Sequence, residues 1–154
     1  MLTKEEYEKV ITKQTRMEES KVALQMTSAD LKRFEKNSKL PLMISDKKRI
    51  ISDEKGLSST LGYEYIEEKC LISVTSIKKV INGSDRVTRR FLYKFAVGLE
   101  MSLVEANTYF ALCGGELHDD SLEDCICKCA LRDKDSIYDF VEEFERLTHS
   151  KIAR

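Results

Sequence analysis

One proline and six glycines in 154 residues leave few places where a helix is forced to stop. Helices can therefore run almost anywhere, and no stretch shows the strict alternation of a half-buried strand. Nor is there an internal repeat at a solenoid period. Histidine is nearly absent, with only His118 and His149. No paired-histidine ligand motif, Gly-rich phosphate loop or nucleophile elbow appears. His118-Asp119-Asp120 reads as ordinary turn chemistry. No enzyme is expected. Long apolar runs are missing too: nothing approaches the roughly 20 residues that span a bilayer. The first residues, Met-Leu-Thr-Lys-Glu-Glu-Tyr-Glu, carry charge from the outset and hold no signal-peptide apolar core. A cytoplasmic protein with no membrane partner is the expectation.

Cysteine is present but badly spaced for metal. Cys125, Cys127 and Cys129 fall close together, with Cys113 and His118 nearby, yet no C-x-x-C pair exists. On a helix Cys125 and Cys129 share a face while Cys127 turns about 200° away. Free cysteines that pack as small hydrophobes are the expectation, with no metal and no cofactor.

What the chain does contain is helical patterning, with 42% hydrophobic and 34% charged residues, as suits a globular chain. Thr3 and Glu6 form a capping box, followed by Tyr7, Val10, Ile11 and Met17 at helical spacing. This predicts helices over about 4–26 and 28–37, then a break at 37–41 around Pro41. A further helix is expected over 46–55, with Ile50 and Ile51 facing inward and Gly56 as its stop. Ser102-x-x-Glu105, Ser121-x-x-Asp124 and Ser136-x-x-Asp139 each open a later helix. The first of these should place Val104, Ala106 and Tyr109 on the core. The last carries Ile137, Phe140, Val141, Phe144 and Leu147 at a 3.6-residue period.

The tightest pattern lies at residues 66–83, I-E-E-K-C-L-I-S-V-T-S-I-K-K-V-I-N-G. Ser73 reads as an N-cap and Asn82-Gly83 as a helix end, so the spacing predicts helices over about 62–70 and 74–81 joined by a short turn. This resembles the lambda-repressor and Cro-like helix-turn-helix family. Ile66, Ile72, Ile77, Val80, Asn82 and Gly83 hold that family's apolar and Asn-Gly places without a gap. Phe91, Leu92, Phe95, Ala96 and Leu99 fall on the buried face of its fourth helix, and Met101-Ser102-Leu103 on its link to the fifth. The resemblance covers roughly residues 61–112. It departs at Glu67, where a small residue is usual, at Leu71 in place of the turn glycine, and at Val87 in place of a proline.

The resemblance implies an all-α fold: a lambda-repressor-like helix-turn-helix core over 41–115, an N-terminal helical extension over 1–40 and a C-terminal helical pair over 116–154. It also implies a transcriptional regulator that binds double-stranded DNA, as a homodimer in most such modules. Thr75, Lys78 and Lys79 share one helix face with Asn82 next along it, and Val74 lies beside them. The lysines can donate to guanine N7 and O6, while Thr75 offers a hydroxyl and a methyl. Ser73, Arg86, Thr88, Arg89 and Arg90 are expected to hold phosphates.

Net charge is -1, but residues 69–94 carry seven bases against Asp85 alone, and residues 95–124 carry seven acids and no base. That asymmetry suggests a duplex-facing side and an acidic side open to a protein partner. Val74, Lys78 and Ile81 form a second, partly apolar stripe. An alternative reading is therefore a protein-interaction or inhibitor module that uses the same scaffold.

Overall fold

The computed structural model describes residues 3–6 and 28–152, and side chains outside 28–38. The chain divides into two compact units, residues 1–38 and 39–154. In the first, Thr3 and Glu6 form the reciprocal capping box: the Glu6 amide donates to Thr3 Oγ1 at 3.1 Å and the Thr3 amide to Glu6 Oε2 at 3.2 Å. The rest of the helix expected over 4–26 lies outside the described residues.

The described residues are helical and contain no strand. The helices are α1 (Ser28–Lys55), α2 (Ser59–Cys70), α3 (Val74–Ile81), α4 (Arg89–Gly98), α5 (Leu103–Phe110), α6 (Leu122–Asp133) and α7 (Ile137–Thr148). From α2 onward every helix begins on a hydroxyl. Ser58, Ser73, Thr88, Ser102, Ser121 and Ser136 each accept from the amide three residues on. Each such cap contributes about 1 kcal/mol and fixes where a helix starts. The caps expected at Ser73, Ser102, Ser121 and Ser136 are all formed.

The break expected at 37–41 is absent. Pro41 sits inside α1, which runs unbroken to Lys55 and ends at Gly56 in the left-handed region (φ 65°). An interior proline costs about 3 kcal/mol through the lost hydrogen bond and the ring clash. Leu40 and Ile44, one turn apart on α1, are fully buried, and their burial offsets that cost at roughly 1.5–3 kcal/mol each. Ile51 faces the core as expected, but Ile50 is 43% exposed, because consecutive helical residues point about 100° apart. Val104, expected in the core, is 79% exposed: it lies on the first turn of α5, one position beyond Leu103, while Ala106 and Tyr109 take the buried face.

α4 is the centre of the second unit. All residues from Leu92 to Gly98 are buried, on every side of the helix, and α4 packs against α2, α5, α6 and α7. The expected Leu92, Phe95 and Ala96 are joined in the interior by Tyr93, Lys94 and Val97. Tyr93 lies 5.5 Å from the Phe110 ring and 6.0 Å from Phe144, centroid to centroid, which joins α5 and α7 to the same aromatic cluster. At the crossing with α2 only glycine fits. A Cβ on Gly98 would stand 2.4 Å from the Lys69 carbonyl oxygen and 2.6 Å from Cys70 Cα. The scaffold that carries α3 is thus held at backbone-to-backbone distance from the core helix.

Candidate nucleic-acid interface

α3 is fixed from behind and from its start. Ile77 and Val80 are buried on its inner face, and Ile66, Cys70 and Ile72 bury the facing part of α2 and the turn. Leu71 makes the turn in the left-handed region (φ 53°, ψ 40°), its amide donating to the Glu67 carbonyl at 2.9 Å. A Cβ there costs roughly 1 kcal/mol, and the side chain offsets it by packing on the core. Glu67 has a second task that its sequence position does not advertise. Its carboxylate accepts the Val74 amide at 2.7 Å, so a negative charge caps the positive end of α3.

The outward face of α3 carries Thr75, Lys78, Lys79 and Asn82, all exposed. Lys79, and Arg86 in the loop that follows, form no ion pair among the described residues. Asn82 accepts from the Ser84 amide at 2.9 Å through Oδ1 and so stiffens that loop. Lys78 lies 5.2 Å from the centre of the Tyr63 ring, and Lys48 of α1 lies 4.0 Å from the same ring while donating to Ser59 Oγ at 3.1 Å. Two cations therefore share one aromatic ring, and neither has a carboxylate partner among the described residues. Burial, and then the neighbouring Lys78 charge, hold the Lys48 ammonium below the usual lysine range. The sequence does not single out Lys48, because Lys47-Lys48 on a helix looks like a solvated face. Only the packing of α1 on α2 brings it beside α3.

Two of the expected phosphate anchors face the wrong way. Arg89 binds the Asp124 carboxylate with both Nε (3.3 Å) and Nη2 (2.7 Å), and its Nη1 donates to the carbonyls of Cys113 and Gly115. The guanidinium lies 5.0 Å from the Phe110 ring centre. Arg90 makes the same fork with Glu123 (3.2 and 3.0 Å), donates to Ser150 Oγ and the Lys151 carbonyl, and stacks on Phe144. These planar donors suit a carboxylate as well as a phosphate, and α6 supplies the carboxylates. Thr88 and Ser73 are likewise committed, as the caps of α4 and α3. Val74 and Ile81 are half-buried, and Ile81 packs on the core, which leaves little of the second, apolar stripe.

Asp124 is the hub of the inward set. It is 3% exposed and accepts from Arg89, from the Tyr93 hydroxyl and from the His118 amide at 2.9 Å. Burial alone would raise its pKa, but the hydrogen bonds from Tyr93, His118 and Arg89 outweigh it and hold the carboxyl below its ordinary range. Burial and the bond to Asp124 push the Tyr93 hydroxyl up.

The charge asymmetry of the sequence is thus partly internal. Arg89–Asp124 and Arg90–Glu123 pair across it, and Lys94 is buried in α4. The cations left on the surface near α3 are Lys69, Lys78, Lys79 and Arg86. All five cysteines are free thiols, and burial raises those of Cys70 and Cys127 well above the usual range. Cys125 donates to the Asp119 carbonyl at 3.0 Å. Among the described residues no group of three His, Cys, Asp or Glu is arranged to hold a metal, and no helix is long and apolar enough to cross a membrane. Comparison with protein-family models, with curated proteins and with solved structures found no match.

Proposed function

We propose that this chain is a sequence-specific DNA-binding transcriptional regulator, with α2, the Leu71 turn and α3 serving as a helix-turn-helix of the lambda-repressor and Cro-like type. The observation that carries the reading is the face of α3. Its polar side chains Thr75, Lys78, Lys79 and Asn82 are exposed on a helix whose other side is locked into the core. A major groove admits such a helix, and Lys78 and Lys79 can there donate to guanine N7 and O6. Arg86, exposed in the loop after α3, supplies phosphate-binding charge that Arg89 and Arg90, held by Asp124 and Glu123, do not. Leu103 and Val104 on α5 offer exposed apolar surface for pairing two copies.

A second reading, a protein-interaction module on the same scaffold, is favoured by one observation. The Glu67 carboxylate caps the start of α3, where a groove-binding helix would meet a polyanion. Salt separates the two. Binding to a duplex selected from a random pool should weaken with salt at a log–log slope of about −3, for three or four neutralised phosphates. A pool that yields no preferred sequence at low salt would leave the DNA reading without support.

A further inference from the structure

Lys48 and Ser52, one turn apart on α1, both face α2 and are only 9% and 6% exposed. They flank the same glycine: a Cβ on Gly62 would stand 2.2 Å from Ser52 Oγ and 3.6 Å from Lys48 Cε. The Ser52 hydroxyl is buried without a hydrogen-bond partner, a costly state for a polar atom. Lys48 is a buried cation without a counter-ion. It donates to Ser59 Oγ at 3.1 Å and shares the Tyr63 ring with Lys78, and neither lysine pairs with a carboxylate among the described residues. The cluster thus holds hydroxyl and ammonium donors and lacks an anion.

We propose that Lys48 is a modification site for carbon dioxide, which adds to Nζ as a carbamate and supplies the missing anion. The ammonium first gives one proton to water. The amine lone pair then attacks the carbon of CO2, an N–C bond forms, one C–O π pair moves onto oxygen, and Nζ releases a second proton. Nothing is oxidised or reduced. The exchange replaces a buried, uncompensated cation by an anion to which Ser52 and Ser59 can donate and with which Lys78 can pair. Burial and the Lys78 charge, which hold the Lys48 ammonium below the usual range, also favour the free amine that reacts. Ser59 is exposed, so the Nζ end of Lys48 lies toward solvent, where a small neutral gas can enter. An exposed lysine such as Lys79 keeps a hydrated ammonium and gains nothing by the same reaction.

Lys78 lies on the outward face of α3, so a negative charge at Lys48 engages a group that would otherwise donate to bases. That regulatory consequence rests on the DNA reading; the carbamate does not, and its test contains no DNA. The full chain is equilibrated with bicarbonate and carbon dioxide, treated with triethyloxonium ion to convert carbamates to stable ethyl esters, and digested for mass spectrometry. An ester at Lys48 is expected, saturating with CO2 and roughly 10-fold more occupied than at exposed Lys79, the value of one hydrogen bond to a charged group. Ser52→Ala removes a hydroxyl that has no partner in the fold, so circular dichroism should be unchanged while half-saturation rises roughly 10-fold. Lys78→Ala should also raise it. Absence of the ester at Lys48, or occupancy no higher than at Lys79, would overturn the site. Equal half-saturation in the native chain and both variants would overturn the roles of Ser52 and Lys78. Saturable binding of inorganic phosphate that is lost in Lys48→Ala, with no ester formed, would show the missing anion to be a free one and overturn the carbamate.

Discussion

Arg86 and Lys79 differ from Arg89 and Arg90 by a few positions and by nothing in charge, yet the two pairs do opposite work. Arg89 and Arg90 open a helix whose first turn faces α6, where Asp124 and Glu123 wait with the matching fork geometry. Lys79 and Arg86 lie on the far side of α3 and in the loop after it, where no carboxylate pairs with them among the described residues. A cluster of bases in sequence is therefore two populations in space. One holds the C-terminal pair of helices onto α4, and the other stays on the surface without an ion-pair partner among the described residues.

The largest effect is expected from emptying the inward set. Asp124→Ala leaves the Arg89 charge and the Tyr93 hydroxyl without their acceptor. Loss of one partner from a buried pair costs about 3–5 kcal/mol, read as a shift in the denaturation midpoint. A loss under about 1 kcal/mol would place Asp124 among ordinary surface pairs. The same hub sets a pH dependence. The folded-state pKa of Asp124 is depressed, so its contribution is complete above the ordinary carboxyl value near 4. It should fade as pH drops below that value toward the depressed one. Stability measured from about pH 6 to pH 2.5 should fall less steeply in Asp124→Asn than in the native chain.

Next in size is the crossing that positions α3. Gly98→Ala drives a methyl into the Lys69 carbonyl and Cys70, an overpacking that costs about 1–3 kcal/mol. An unchanged melting temperature would show that α2 and α4 can separate without strain. Smaller again is Lys78→Ala. Stability should stay within about 0.5 kcal/mol, while discrimination for a selected duplex falls by roughly 1–3 kcal/mol. Retained discrimination would remove Lys78 from the reading face.

Much of the helical fold is legible in the sequence because its signals are local. Ser73, Ser102, Ser121 and Ser136 mark helix starts through bonds spanning three residues, and the Ile66-to-Gly83 pattern sets the turn. The departures share a cause. Pro41 is locally a breaker, and only burial of Leu40 and Ile44 in the core overrides it. Thr88, Arg89 and Arg90 look like a phosphate-binding start of a helix, and the partners of both arginines lie more than twenty residues away. Charge can be read from sequence, but the direction a charge faces is decided by tertiary packing. Lys48 shows the same in reverse, since packing turns an ordinary surface lysine toward α3.

Whether the outward cations, and not the inward ones, meet DNA is decided by the salt dependence of binding to a pool-selected duplex. Three proteins are compared: the native chain, Arg90→Ala, and Lys79→Ala combined with Arg86→Ala. Every phosphate that the protein no longer neutralises flattens the log–log slope by about 0.9. The double variant should therefore flatten it by about two units, whereas Arg90→Ala should leave the slope unchanged even if it melts a few degrees lower. A slope flattened by about one unit in Arg90→Ala, with the double variant unchanged, would reverse the assignment of the two sets.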